Sequence, residues 1–120
     1  MISTTVEQSK RLLALGLDKD TADMTWKNVG TDWLELFVYG ADESEEDIPA
    51  WSLGALLEIM PKEETPYIMY LNEPPFDEEY RWECGLFNYI GSPGSSPIEA
   101  AFQMACWLLK NGYIKKGGAS

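Results

Sequence analysis

The sequence predicts an α+β fold with a three-stranded, mostly antiparallel sheet and with two main helices and one short helix on one face. Apolar residues at helical spacing lie near both ends of the chain, and three runs rich in aromatic and branched residues lie between them. Helices that flank a group of strands are typical of the α+β class. We expect residues 1–116 to form a single domain and residues 117–120 to form a flexible tail.

The first predicted helix begins at a capping box in residues 4–7, where Thr4 is the expected N-cap and Glu7 reaches back to it. Its apolar face ends before Gly16, a natural helix stop, and Leu17 is placed to make the apolar contact that accompanies such a stop. A further short helix is predicted to begin at residue 18 or 20 and to end at Met24.

The middle of the chain contains three predicted strands, which are Trp33–Tyr39, Tyr67–Leu71 and Tyr80–Tyr89. The second and third are expected to pair as a hairpin across a turn with two prolines, which cannot lie inside a ladder. Between the first and second strands, Ser52 is predicted to cap a helix of about two turns that ends at Pro61.

The last helix has the strongest sequence signals. Ser96 is the expected N-cap, Pro97 takes the first helical position and Glu99 completes a capping box. Gly112 is expected to end this helix. Residues 91–95, which precede the Ser96 cap, are predicted to form a loop.

Composition excludes several classes of function. The 120-residue chain has no histidine, which removes Ser-His-Asp and Cys-His catalytic sites and the usual zinc sites. It also lacks the glycine-rich nucleotide-binding motifs, and no catalytic residue, metal ligand set or cofactor is predicted. The net charge is −11, and residues 32–83 carry 15 acids against only Lys62 and Arg81. Direct binding to nucleic acid or to an anionic membrane is therefore not expected.

The expected location is the cytoplasm. No apolar run approaches the roughly 20 residues that span a bilayer, and the first residues do not follow a signal-peptide pattern. Cys84 and Cys106 are expected to be buried thiols in a reducing compartment.

An acidic loop followed by a tryptophan is the candidate interaction patch, which comprises Asp42, Glu43, Glu45, Glu46, Asp47 and Trp51. An exposed aromatic side chain bordered by charges has the composition of a binding hot spot, and the alternative is that Trp51 fills the edge of the core. The loop does not fit an EF-hand, because Asp47 and Leu53 stand where glycine and a bidentate glutamate are required. An irregular cation site stays open as an alternative.

Three stretches of the chain carry a resemblance to other proteins: Thr4–Leu13 with Gly16-Leu17 and Thr21–Met24, then Pro49–Leu57, then Pro97–Ala101 with Trp107–Tyr113. Together they resemble short uncharacterised bacterial proteins encoded in prophage and other mobile-element regions. The resemblance implies a bacterial cytoplasmic setting and a mobile-element context, and it brings no catalytic residue or cofactor.

These observations favour a non-enzymatic protein–protein interaction module that uses the acidic middle of the chain to bind a basic protein. One alternative is a DNA mimic that inhibits a nucleic-acid-binding protein, which requires two rows of exposed carboxylates. Another is a small-ligand-binding domain with a pocket lined by Tyr67, Trp82 and Tyr89. A structural subunit of an oligomer is the third.

Overall fold

The computed structural model describes residues 2–28, 34–37, 47–61, 66–70, 81–86 and 91–114. In chain order the elements are α1 (Val6–Ala14), a short 3₁₀ helix (Lys19–Thr21), β1 (Met24–Asn28), β2 (Leu34–Phe37), β3 (Ile48–Ala50), α2 (Leu53–Glu58), β4 (Pro66–Tyr70), β5 (Trp82–Leu86), β6 (Ser92–Gly94) and α3 (Pro97–Lys110). The predicted tail, residues 117–120, lies outside the described residues.

The strands form two antiparallel three-stranded sheets, so the α+β class is confirmed and the single predicted sheet is corrected. The first sheet has the order β2-β1-β3 and the second β4-β5-β6. Sequence patterns missed β3 and β6 because each has only three residues and contains a proline, Pro49 or Pro93. Among the described strands, both lie at the edge of their sheet, where a missing N–H donor is tolerated.

β1 was also missed, and a helix was wrongly extended into it. The 3₁₀ helix ends at Thr21 instead of reaching Met24, and β1 begins at Met24. β1 lies between β2 and β3 and pairs with both, with Trp26 opposite Leu36 on one side and Ile48 on the other. Two strand partners stabilise a segment whose own pattern is too short to specify a strand.

The capping box of α1 lies one residue later than predicted. Thr5 is the N-cap: its hydroxyl accepts the Gln8 N–H at 3.1 Å, and the Gln8 side-chain oxygen accepts the Thr5 N–H at 2.9 Å. Thr4 is instead fully buried, and it is hydrogen-bonded to the backbone of Trp51. The stop at Gly16 is confirmed, with φ of 97° there and a bond from the Leu17 N–H to the Leu12 carbonyl at 3.0 Å.

The other two helices and the hairpin follow the sequence prediction, except that Glu99 does not complete the predicted capping box of α3: its carboxylate accepts the side-chain amides of Gln8 and Gln103 instead. Ser52 caps α2 and Ser96 caps α3, each by accepting an N–H three residues later at 3.2 and 3.1 Å. Pro97 is the first residue of α3, and Gly112 beyond its end has φ of 77°. β4 and β5 pair in antiparallel register, with Ile68 opposite Cys84.

The core is one cluster of buried apolar side chains to which all three helices and β5 contribute. α3 supplies the largest share and packs against β5 and β6. Gly94 of β6 lies so close to the first turn of α3 that a β-carbon there would be 2.4 Å from the Ala100 nitrogen. Within the described part of the chain, no helix has the length and apolar character needed to cross a membrane.

Candidate functional site

The predicted interaction patch is corrected at Trp51, whose side chain has no exposed surface. Asp47 is half-buried, and the other four members, Asp42, Glu43, Glu45 and Glu46, lie outside the described residues. Trp51 is therefore a core residue, as the sequence alternative held, and it is not available as a contact for a partner. Any aromatic surface that binds a partner therefore lies at residues other than Trp51.

Trp51 belongs to the buried core cluster, and the segment before α1 is hydrogen-bonded to its backbone. The Thr4 N–H donates to the Trp51 carbonyl at 2.8 Å, and the Trp51 N–H donates to the Thr4 hydroxyl at 3.1 Å. The indole N–H of Trp51 donates to the Thr21 hydroxyl at 2.9 Å. Every polar atom of this tryptophan is thus satisfied inside the protein, as buried polar groups generally are.

The two cysteines are buried and unpaired, as predicted. Desolvation raises the pKa of Cys84 to about 12, and the neighbouring Glu83 carboxylate adds to the rise. Burial also raises the pKa of Cys106, although Arg11 and Lys110 oppose the shift. Neutral thiols are poor nucleophiles, and the raised pKa values keep both cysteines protonated at neutral pH.

The predicted pocket of Tyr67, Trp82 and Tyr89 does not form, since Tyr67 and Trp82 lie on opposite faces of the second sheet. Tyr67 is paired with Gly85, which shares its face of the sheet. Gly85 is three positions from Trp82 on β5, and since successive residues of a strand alternate between faces, Trp82 lies on the other face. The Tyr67 ring covers Gly85, where a β-carbon would lie 2.5 Å from the Tyr67 hydroxyl oxygen. That hydroxyl donates to Glu83 at 3.1 Å. Tyr89 lies outside the described residues.

A shallow groove of about 590 Å³ lies between β6 and α3. Its walls are β6 with the following Ser95, and the side chains of five residues of α3: Glu99, Gln103, Cys106, Trp107 and Lys110. The Glu99 carboxylate accepts bonds from the side-chain amides of both Gln8 and Gln103. Each Glu99 oxygen therefore already accepts a hydrogen bond, and Lys110 is the cationic side chain in the lining of the groove.

Among the described residues, no group of three or more histidine, cysteine, aspartate or glutamate side chains could hold a metal ion. Each buried side-chain nitrogen or oxygen in that part of the chain also has a hydrogen-bond partner.

Exposed aromatic surface occurs at the end of the β4–β5 hairpin. Met69 and Tyr70 are each 49% exposed. The Tyr70 ring meets Trp82 edge-on at 5.1 Å between centroids, with 64° between planes. The Arg81 guanidinium lies 5.9 Å from the centroid of the same ring. We call these four residues, Met69, Tyr70, Arg81 and Trp82, the hairpin-end cluster.

Sequence reasoning missed this cluster although both of its strands were predicted. The register of the hairpin places Tyr70 directly opposite Trp82, and the pattern of the strands does not specify that register. A usable signal was nevertheless present, because two aromatic strands joined by a turn bring aromatic residues together near that turn.

The described residues account for few of the acids that dominate the middle of the chain. Of the 15 acids between residues 32 and 83, the described ones are Glu35, Asp47, Glu58 and Glu83. The other eleven lie outside the described residues, so the carboxylate rows that a DNA mimic requires stay a prediction.

Comparison of the chain with known protein families, with curated proteins and with solved structures finds no match.

Proposed function

We propose that the chain is a non-enzymatic interaction module that binds a basic protein through the hairpin-end cluster. The observation that carries the proposal is the environment of Tyr70, a half-exposed ring held between Trp82 and Arg81. Tyrosine, tryptophan and arginine are the residue types enriched in binding hot spots. Their contact around the exposed Tyr70 ring, with Arg81 and Trp82 partly buried, supports a role in binding.

The packing of Tyr70 also supports strong binding. A side chain that is already ordered in the free protein loses little rotamer entropy when a partner covers it. The edge-on contact with Trp82 and the cation above the ring both restrict Tyr70 before binding. Truncation of a hot-spot residue costs about 2 kcal/mol or more, which is roughly a 30-fold loss of affinity.

Charge supports a basic partner. The chain carries −11 in total, and the hairpin-end cluster lies within the acidic part of the sequence, residues 32–83. Such a field accelerates the encounter with a positively charged protein and repels nucleic acid, and salt weakens it.

The test is capture by immobilised wild-type chain from a lysate of the encoding organism, followed by identification of the proteins that elute as salt is raised. The identified partner is then purified, and its affinity is measured for wild type, for Tyr70→Ser and for Tyr113→Ser. Tyr113 is the matched control, since it is 45% exposed, stacks on Trp107 at 5.5 Å between ring centroids, and is not a member of the hairpin-end cluster.

We expect a basic partner whose affinity falls about 30-fold or more with Tyr70→Ser and changes little with Tyr113→Ser. Equal affinities for the two variants would overturn the assignment of the surface. A partner whose binding is unchanged by salt would overturn the electrostatic part of the proposal.

A further inference from the structure

The α3 side chains that line the groove beside β6 form one stripe along the helix. They are Glu99, Gln103, Cys106, Trp107 and Lys110, and a helix with 3.6 residues per turn places positions at this spacing on one face. At 1.5 Å per residue, the stripe from Glu99 to Lys110 is about 16 Å long. An extended segment of about five residues has the same length, since a strand rises about 3.3 Å per residue. Sites for small molecules enclose most of the ligand, so a long, shallow groove is better suited to a peptide segment.

Contacts between β6 and α3 hold the floor of the groove. The Ser92 hydroxyl donates to the Met104 sulfur at 3.6 Å. Gly94 lies against the first turn of α3, where only a residue without a β-carbon can approach the Ala100 backbone so closely. The groove is therefore formed before a ligand arrives, and a preformed site loses little conformational entropy on binding.

One wall of the groove carries an ordered aromatic ring. Trp107 is half-buried and stacks on Tyr113, with 5.5 Å between ring centroids and 8° between planes. The stack restricts the indole before binding. Tryptophan is among the residue types most enriched in binding hot spots, so this wall offers apolar contact area to a ligand.

The charge in the groove is positive at the end where α3 finishes. Among the described residues that line it, Glu99 is the one carboxylate and Lys110 the one ammonium group. The Glu99 oxygens accept hydrogen bonds from Gln8 and Gln103, and the two charged residues are about 16 Å apart along the helix, too far to pair. Lys110 is exposed, in the last turn of α3.

A second cation approaches the same end from α1. Burial raises the pKa of the Cys106 thiol, and Arg11 and Lys110 oppose that rise, Arg11 partly through a hydrogen bond to the thiol. Both cations therefore lie close to Cys106, which is itself part of the groove wall. An anionic group placed here would meet a guanidinium and an ammonium together.

The geometry points to a second binding site: the groove between β6 and α3 binds an extended acidic segment of a partner protein. A glutamate or aspartate side chain of that segment bonds to Lys110 and Arg11, and an apolar neighbour packs on Trp107. Charge-assisted hydrogen bonds fix the position of the acid, and the ring contact supplies apolar burial. This inference goes beyond the proposed function, which uses the hairpin-end cluster and a basic partner.

The net charge of the chain is compatible with an acidic ligand at this groove. Residues 32–83 carry 15 of the 20 acids and two of the nine bases, so the rest of the chain, which includes α1 and α3, carries five acids and seven bases. The Debye length is about 8 Å at physiological salt, so the charges nearest the groove dominate the field inside it.

The experiment titrates the ¹⁵N-labelled full chain with the peptide acetyl-Leu-Glu-Leu-Glu-Leu-amide and follows binding by NMR. We expect the indole N–H signal of Trp107 and the side-chain amide signal of Gln103 to shift. The indole signal of Trp51 is the internal control and should stay in place, because that ring is fully buried and bonded to Thr21. Shifts confined to residues outside the groove would overturn the inference.

A control peptide tests the charge without altering the protein. Replacement of both glutamates by glutamine keeps the shape of the peptide and removes its charge, so we expect affinity to fall about tenfold or more. Equal affinity of the two peptides for the wild-type chain would show that the groove does not select an acid, and the inference would be wrong.

Variants of the protein test the two cations. We expect Lys110→Gln to weaken binding of the acidic peptide about threefold and Arg11→Gln with Lys110→Gln about tenfold. Lys19→Gln is the matched control, since it removes one exposed lysine that does not line the groove and changes the net charge equally. Circular dichroism checks that each variant is folded. An equal loss of affinity for Lys110→Gln and Lys19→Gln would overturn the assignment.

The remaining outcomes distinguish other occupants of the groove and the proposed function. N-acetylglutamate amide that binds as tightly as the peptide would make the ligand a small carboxylate, and a dimer abolished by Lys110→Gln would make it a second copy; either result overturns the inference. Tyr70→Ser is expected to leave peptide affinity unchanged while it disrupts capture of the basic partner. Loss of peptide binding in Tyr70→Ser would place the peptide on the hairpin-end cluster and contradict a separate site.

Discussion

Replacement of Trp51 by alanine tests whether this residue belongs to the core or to a binding surface. The side chain has no exposed area, and its indole N–H bonds to the Thr21 hydroxyl at 2.9 Å. Removing a buried tryptophan costs about 3–5 kcal/mol, since both transfer free energy and cavity formation contribute. A domain of this length has roughly 6–18 kcal/mol of stability, so the variant should fold.

The assay is urea unfolding followed by circular dichroism. With a slope near 1.5 kcal/mol per molar, the midpoint for Trp51→Ala should fall by about 2 M or more. Trp51→Phe keeps most of the apolar volume and loses the indole donor, so a cost of about 1–2 kcal/mol is expected. A shift below about 0.5 M for Trp51→Ala would refute the assignment to the core.

Two further changes probe the packing and the buried thiol. Gly94→Ala should lower the free energy of unfolding by about 1–3 kcal/mol or more, because the new β-carbon would meet the Ala100 backbone. Gly54→Ala is the control at an exposed helical position, where the nearest atom to a new β-carbon is 3.8 Å away, and it should raise the free energy of unfolding by about 0.5 kcal/mol. The reverse order in thermal unfolding would contradict the close approach of β6 to α3. The raised pKa of Cys84 means that the folded state holds this proton after the unfolded state has lost it, so the unfolding free energy should fall from pH 9 towards pH 12 by up to about 4 kcal/mol. Urea titrations across that pH range should show a smaller fall in unfolding free energy for Cys84→Ala than for wild type. An equal fall in the two proteins would contradict the raised pKa of Cys84.

The helix ends are the part of the fold that could be predicted most closely. Ser52 and Ser96 cap the helices that their patterns predicted, and Gly16 and Gly112 take the left-handed conformation at the predicted stops. Thr5 in place of Thr4 is an error of one residue. A capping hydroxyl bonds an amide three positions away, so the information lies within one turn.

The candidate site was predicted less well, because its members come together only through pairing between distant segments. Tyr70 and Trp82 are adjacent through the register of the hairpin, and Tyr67 is separated from Trp82 by the same register. A shift of one residue would exchange the two faces, and an alternating pattern alone does not exclude that shift.

By itself, the sequence determined the α+β class, the absence of histidine chemistry, the caps and stops of the helices, and the acidity of the middle segment. Those features depend on composition or on residues a few positions apart. Only the tertiary structure decided that the strands divide into two sheets, that Trp51 is buried, and that aromatic surface is exposed beside Arg81. Trp51 is enclosed by Thr4, 47 residues away, and burial of that kind depends on long-range contacts that local spacing does not encode.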